Sequence, residues 1–322
     1  MGFELRGLKI DPPLALAPMV GLSHSALRSL VIGQGGVGLL FSEMLAAKRL
    51  PAENENVSPF LIRGANEKPL FYQLFTSDEN EIEPAVERLL QLDAQGIDLN
   101  LGCPAPQLRK MGAGRFLVEK RGVVKSILGR LRKNVDIPIS VKIRIGAKPD
   151  PDALADLCLF MQDNGVDMIT VHARLYDEKF CRKPRWELLQ NAVKRTSIPL
   201  LANGGIFTVA DAKKCLDDSG AAGLMIGRGG VQKPWLFRQI AGDLFGFECG
   251  GVYADHGELY LAFVDLLNRK FRSERRLGRL KQFTHYYAMN YLFGHNFASK
   301  VQGSSSIDQA VEYAREFFSK AA

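Results

Sequence analysis

Leu14-Ala15-Leu16-Ala17-Pro18-Met19-Val20-Gly21 decides how the sheet of this chain closes. The four apolar residues make a short buried strand, and Pro18 ends it because proline has no N–H for a neighbouring strand. An open, doubly wound sheet usually follows its first strand with a glycine-rich phosphate-binding turn. Here Pro18-Met19-Val20-Gly21 stands in that place. Seven further candidate strands follow, at Leu39–Ser42, Leu70–Leu74, Ile97–Leu101, Ile139–Ile143, Met168–His172, Leu200–Asn203 and Gly223–Ile226. Amphipathic helical stretches lie between them, such as Ile82–Ala94, Val124–Asn134, Pro151–Asn164, Trp186–Arg195 and Val209–Ser219. Strands alternating with helices predict a parallel sheet, and eight such units predict a closed α/β barrel of the (β/α)8 type.

Side chains of a barrel strand alternate between the lumen and the helix layer. In Ile139-Ser140-Val141-Lys142-Ile143-Arg144 the apolar residues share one side, so Ser140, Lys142 and Arg144 face the lumen or its mouth. The same alternation turns Gln73, Asn100, His172 and Asn203 inward, each at the last turn of its strand. A single buried Asn or His is usually a satisfied core residue. Polar groups at matched positions on five strands are not explained by packing. Lys142 is the sharpest of them, because a lumenal lysine needs an anion or a strong acceptor. The fourth strand runs into Asn100-Leu101-Gly102-Cys103-Pro104, where Gly102 and Pro104 leave an isolated thiol in a loop at the same end. Most free cysteines are small buried hydrophobes; the polar strand face leading to this one points to a catalytic group instead.

Two glycine-containing loops follow strands seven and eight: Ala202-Asn203-Gly204-Gly205-Ile206 and Ile226-Gly227-Arg228-Gly229-Gly230. Barrels of this type bind phosphate at those two loops. Glycines let backbone N–H groups approach phosphate oxygens, and Arg228 adds charged donors. A phosphate-bearing ligand is expected, either a flavin cofactor or a sugar phosphate.

With 322 residues and 46% apolar content, the chain can build one large barrel and a smaller unit. The net charge of +7 leans toward an anionic partner. Cysteines at 103, 158, 181, 215 and 249 show no zinc or iron–sulfur spacing, so no metal and a reduced, cytoplasmic protein are expected. The apolar run Leu14–Val20 is short and broken by Pro18, neither a leader nor a membrane span. Beyond about Tyr253 the strand rhythm stops, and helices are expected near Gly257–Arg272, Leu280–Phe293 and Ile307–Phe318. The segment Arg269–Lys281 carries net charge +6 and precedes Phe283, Tyr286, Tyr287 and Tyr291. Charge beside aromatic rings suits RNA phosphates and bases. For the aromatics, burial in a helical core is the stronger expectation.

At this point the sequence resembles the tRNA-dihydrouridine synthases, an FMN-dependent bacterial enzyme family, from about Leu14 to Phe237. The resemblance rests on Ala17-Pro18-Met19, Ser42-Glu43-Met44, Gln73-Leu74, Asp98 to Pro104, Gly112-Ala113-Gly114, Val141 to Arg144, Val171 to Arg174, Asn203 to Ile206 and Gly227-Arg228-Gly229. It implies a TIM barrel over 1–246 that binds FMN and a helical tRNA-binding domain over 247–322. By position, Pro18, Met19 and Val20 would meet the flavin edge, and Gln73, Lys142 and His172 the flavin ring. Asn203, Gly204, Gly205, Gly227 and Arg228 would take the phosphate. Cys103 would be the general acid, Asn100 would place the uracil, and Arg144 and Arg174 would face the RNA entrance. The resemblance also implies NADPH as reductant, with NADH as the other candidate; a monomer is expected. Three places depart from the family: His172-Ala173-Arg174-Leu175, the Asn203-Gly204-Gly205 turn, and the basic segment Leu175–Arg185.

The chemistry suits these groups. Reducing uracil adds a hydride to carbon 6 and a proton to carbon 5, and a thiol of ordinary pKa, about 8.5, is still protonated at neutral pH. The competing readings are an FMN barrel oxidoreductase for a small pyrimidine or dihydroorotate-like substrate, a flavin-free phosphate-binding isomerase, and a non-catalytic tRNA-binding protein or chaperone. The basic tail argues against the first, and protein colour discriminates the second. Cys103 and Lys142 together argue against the third.

Overall fold

The computed structural model of the protein describes residues 2–54, 57–248 and 255–321. All eight expected barrel strands form, their ends moved by at most one residue: Leu14–Leu16, Leu39–Phe41, Leu70–Phe75, Gly96–Asn100, Ile139–Arg144, Met168–His172, Leu200–Asn203 and Gly223–Ile226. Each is parallel to its neighbours, and the pairing of Leu224 with Leu14 and of Leu40 with Leu70 completes the ring. The alternation predicted along the strands holds. Ile97, Leu99, Val141, Ile143, Ile169 and Val171 point outward into the core shared with the helices, each contributing roughly 1.5–3 kcal/mol by burial. Ala15, Phe41, Phe71, Met168, Leu201 and Met225 fill the lower lumen as a separate apolar cluster.

Two features were not legible in the periodicity. Phe3–Leu5 and Leu8–Ile10 form an antiparallel hairpin whose turn residues Arg6 and Gly7 have φ of 46° and 81°. Its Leu5 and Ile10 join the lower lumenal cluster and so plug the N-terminal end of the barrel. Three-residue strands are too short for a pattern to reveal. The second feature is a break in the second strand. After Phe41 it leaves the ladder and resumes at Leu45–Ala46 beside the same neighbour. Five steps, Leu40 to Leu45, oppose four, Leu70 to Leu74, so one extra residue bulges out. Bulges re-aim side chains, and this one carries Ser42, Glu43 and Met44.

The helices follow their caps. Asp150 accepts from the N–H groups of Asp152 and Ala153 at 3.1 and 3.0 Å and starts Pro151–Asp163. The stretch expected as one helix at 186–195 is a 3-10 turn, Trp186–Leu189, leading into Gln190–Arg195. Among the described residues the tail holds four α-helices, His256–Lys270, Arg276–Tyr287, Gly294–Gly303 and Ile307–Ala321. The expected helix 280–293 is therefore corrected: it ends at Tyr287, and a new one begins at Gly294. A Cβ on Gly294 would lie 1.7 Å from the Ala288 carbonyl oxygen, so the chain turns a corner there that only glycine fits. Phe283 and Tyr287 are buried and stack on each other, and Tyr291 packs against Tyr287, as expected for a helical core. The tail shares one apolar core with the barrel. At the junction the His24 ring stacks on Phe263 and meets Phe271 edge-on. Beside it Lys270 joins the buried Arg28–Glu67 ion pair.

Candidate active site

The carboxyl ends of the strands open into a cleft of about 330 Å³. Every residue predicted for the site lines it: Pro18, Met19, Val20, Gln73, Asn100, Cys103, Lys142, Arg144, His172, Arg174, Asn203, Gly204, Gly205, Gly227 and Arg228. Barrel topology explains the convergence, because consecutive parallel strands all end at the same mouth.

A hydrogen-bonded chain organises the floor. Asp98 lies fully buried in the lumen and accepts from Ser140 Oγ at 2.6 Å and from Gln73 Nε2 at 2.7 Å. Gln73 Oε1 accepts from Asn100 Nδ2 at 2.9 Å, and Asn100 Oδ1 accepts from the backbone N–H of Cys103 at 3.0 Å. Asn100 thus pins the turn that carries the thiol. Burial pushes the Asp98 carboxyl up to about 6, against the pull of its two hydrogen bonds and of Lys142. Sequence reasoning assigned Asp98 no role, although it shares the inward face of its strand with Asn100.

Lys142 Nζ donates to Asn203 Oδ1 at 3.1 Å, while Asn203 Nδ2 donates to the Met225 carbonyl at 2.7 Å. Among the described residues Lys142 Nζ has no other hydrogen-bond partner, so its remaining donors serve the cleft. Burial lowers it to about 8, opposed by Asp98. His172 is held well below the ordinary histidine range, first by burial and then by Lys142 and three arginines. Its Nε2 lies 3.0 Å from Arg174 Nη1. A guanidinium only donates, so Nε2 accepts and the proton of the neutral ring sits on Nδ1.

The segment after the sixth strand is folded back over one side of the cleft. Arg144 Nη1 donates to the carbonyls of Leu175, Tyr176 and Glu178, and Arg174 donates to those of Arg182 and Phe180. Both arginines are buried and scaffold this segment. Exposed charge at the rim comes from Lys179, Arg182 and Lys183. Phe180 lines the cleft with Arg228 stacked 4.7 Å from its ring centre. Phe180, Met44 and Phe207 were not anticipated, since apolar residues in loops carry no periodic signal, and Tyr286 reaches the cleft from its tail helix.

At the glycine loops the backbone itself makes the cradle. Gly204 has φ +113°, and a Cβ there would lie 2.6 Å from the His172 ring. Gly205 has φ +76° and would meet Pro184 at 2.8 Å. Side chains are excluded from both, so the backbone there stays bare at the cleft, with Arg228 lining the same cleft. This cradle and the spare donors of Lys142 fit FMN: a phosphate at one end and a polar ring edge at the other.

The other described cysteines stand apart. Cys158 and Cys215 are buried, and burial raises both thiols, Cys158 to about 12. Cys181 is exposed, and Cys249 lies outside the described residues. Among the described residues no group of His, Cys, Asp or Glu is placed to hold a metal ion, and no helix is long and apolar enough to cross a membrane.

The sequence family "Dihydrouridine synthase (Dus)" matches residues 15–299. The chain belongs to the dihydrouridine synthase family. A "Probable tRNA-dihydrouridine synthase" of Rhodobacter capsulatus is 32% identical over 276 residues, 82% of this chain and 84% of that one. "tRNA-dihydrouridine synthase B" of Escherichia coli K12 is 32% identical over 246 residues, 76% and 73% of the two chains. Among solved structures, a 2-naphthoyl-CoA reductase complex superposes with a TM-score of 0.58 at 12% identity, over 74% of this chain and 51% of that one. That likeness shows the shared barrel fold alone. The family match runs through the barrel into the tail helices.

Proposed function

We propose that this chain is a tRNA-dihydrouridine synthase in which Cys103 delivers a proton to a uracil held in the barrel mouth. The carrying observation is that Cys103 lines the same cleft as Lys142 and both glycine loops, on a turn pinned by Asn100. When bound, FMN supplies the hydride for carbon 6. Gly204, Gly205, Gly227 and Arg228 hold its phosphate, Lys142 and Gln73 its ring edge, and Pro18–Val20 its flank. Asp98 and Asn100 engage the Gln73 amide at both ends and set its orientation, leaving its second N–H and a lone pair for the ligand. Cys103 Sγ gives its proton to carbon 5 and, being partly exposed, regains one from solvent. The arrangement needs a protonated thiol, the reverse of a nucleophilic cysteine. NADPH is the reductant by family resemblance. tRNA is the substrate, with Lys179, Arg182 and Lys183 at the rim and the helical tail offering charge to its backbone. Extruding the uridine costs on the order of a few kcal/mol, which phosphate contacts offset.

The test is turnover of unmodified tRNA with FMN and NADPH by the parent and by Cys103→Ala. The variant is expected to keep its flavin and its NADPH oxidation and to lose roughly 10²–10⁴ in uridine reduction. A variant that works at the parent rate removes Cys103 from the reaction. Turnover of a free pyrimidine in place of tRNA would instead favour the small-molecule oxidoreductase.

A further inference from the structure

The geometry points to Glu43 as a positioning residue that holds the Met19–Gly21 rim of the cleft from behind and, through Arg279, ties that rim to the helical tail. The inference rests on the flavin reading of the cleft and deepens it.

Glu43 stands in the bulge of the second strand and is buried. Its Oε1 accepts the backbone N–H of Gly21 at 2.5 Å, while its Oε2 is buried without a hydrogen-bond partner among the described residues. Burial raises the Glu43 carboxyl, opposed by the Gly21 N–H and by the charges of Arg279 of the tail and Arg28 of the barrel. Arg28 is spent: it donates to Glu67 and to the carbonyls of Ser23 and Ile62. Arg279 is not. Its guanidinium lies 4.3 Å from the Phe271 ring centre and gives one bond to the Arg275 carbonyl, and its Nε is buried without a partner. A carboxylate oxygen of the barrel and a guanidinium N–H of the tail are thus each buried and unsatisfied, and the charge of one acts on the other.

The same helix touches the rim a second time. Arg279, Gln282 and Tyr286 follow at i, i+3 and i+7, one face of a helix. A Cβ on Gly21, whose φ is +75°, would lie 2.5 Å from Gln282 Oε1, and Tyr286 lines the cleft. From the barrel side Ser23 Oγ accepts the Met19 N–H at 2.8 Å. The rim is therefore gripped by Ser23 and Glu43 from the barrel and abutted by Gln282 from the tail. The unit that meets the RNA sets the loop that meets the flavin.

The experiment uses the full chain. Hydrogen–deuterium exchange of residues 18–23 is measured in flavin-free protein, and FMN affinity by fluorescence titration, for the parent, Glu43→Ala, Glu43→Gln, Arg279→Gln and the Glu43→Gln/Arg279→Gln double variant. Losing a charged hydrogen bond costs about 1.5–3 kcal/mol, so Glu43→Ala should speed exchange at Gly21 and weaken FMN binding by about 10- to 100-fold. Glu43→Gln keeps an acceptor, and it and Arg279→Gln should each give a smaller change in the same direction. The double variant should be no worse than the worse single. Exchange within twofold of the parent in both Glu43→Gln and Arg279→Gln overturns the proposal, as does a double variant equal to the product of its singles. Should Glu43→Ala not fold, the two Gln variants carry the test alone. A parent that binds no FMN refutes the flavin reading, and the exchange data still judge the positioning role.

Discussion

Asp98 shows how far a barrel lumen can move one group. Its carboxyl is fully buried, and its raised pKa, about 6, means the folded protein holds a proton that the unfolded chain releases near the ordinary value of 3.8. The folded state thus binds more protons between these values, and this group's contribution to stability falls as pH rises from about 4 to about 6. Asp98→Asn removes the titration and keeps an acceptor for Ser140 or Gln73. The stability difference, variant minus parent, should grow by roughly 3 kcal/mol across that window, from 1.36 kcal/mol per pKa unit, and be flat above it. Urea unfolding at several pH values measures it; a pH-independent difference would mean that Asp98 titrates normally. Lys142, pulled down to about 8, has its own window above pH 8 and leaves this one untouched.

At the scale of the element, the segment 175–185 is the part of the site held in place by charge. It has no regular structure, and ion pairs take the place of a ladder. Glu178 bridges both terminal nitrogens of Arg185 at 2.7 Å and accepts the Leu175 N–H at 3.0 Å, which holds its carboxyl low, at about 2. Glu178→Ala leaves the segment to the carbonyl contacts of Arg144 and Arg174. Tryptic cleavage after Lys179 and Arg182 should then rise several-fold while the barrel stays intact. Unchanged digestion would show that the two arginines suffice. The loop's course over the cleft was hidden from the sequence because its ties are to arginines on neighbouring strands. Its charge was visible, its direction was not.

For the whole molecule, the basic run of the tail serves two purposes. Lys270 is drawn into the buried pair of Arg28 and Glu67. Arg276 donates to the carbonyls of Phe271 and Asn268, Lys281 to that of Ser304, and Arg279 to that of Arg275, with its charge acting on Glu43. Arg269 pairs with Asp265, while Arg272 and Arg275 stay exposed. Neutralising the run as a block would therefore damage the junction as well as any RNA contact. The cleaner variant is Arg272→Gln/Arg275→Gln. If these two meet phosphates, tRNA affinity should drop and the slope of log affinity against log salt should flatten by up to about 2. Flavin content should remain that of the parent. An unchanged slope would move the RNA contacts to the barrel rim.

By itself the sequence determined the eight strands and the inward direction of Gln73, Asn100, Lys142, His172 and Asn203, and its family resemblance added the rest of the fifteen predicted residues that line the cleft. The reason is local. Alternation is written in neighbouring residues, and parallel closure sends every strand end to one mouth, so a polar residue there has one destination. The tertiary structure alone decided the hairpin that plugs the barrel and the bulge that aims Glu43 at Gly21. It alone decided which basic residues face solvent. Those outcomes depend on partners far apart in the chain: Lys270 lies 203 residues from Glu67, and Gln282 meets Gly21 across the junction. No short-range pattern encodes which buried charge will be within reach, because that distance exists only once both units have packed.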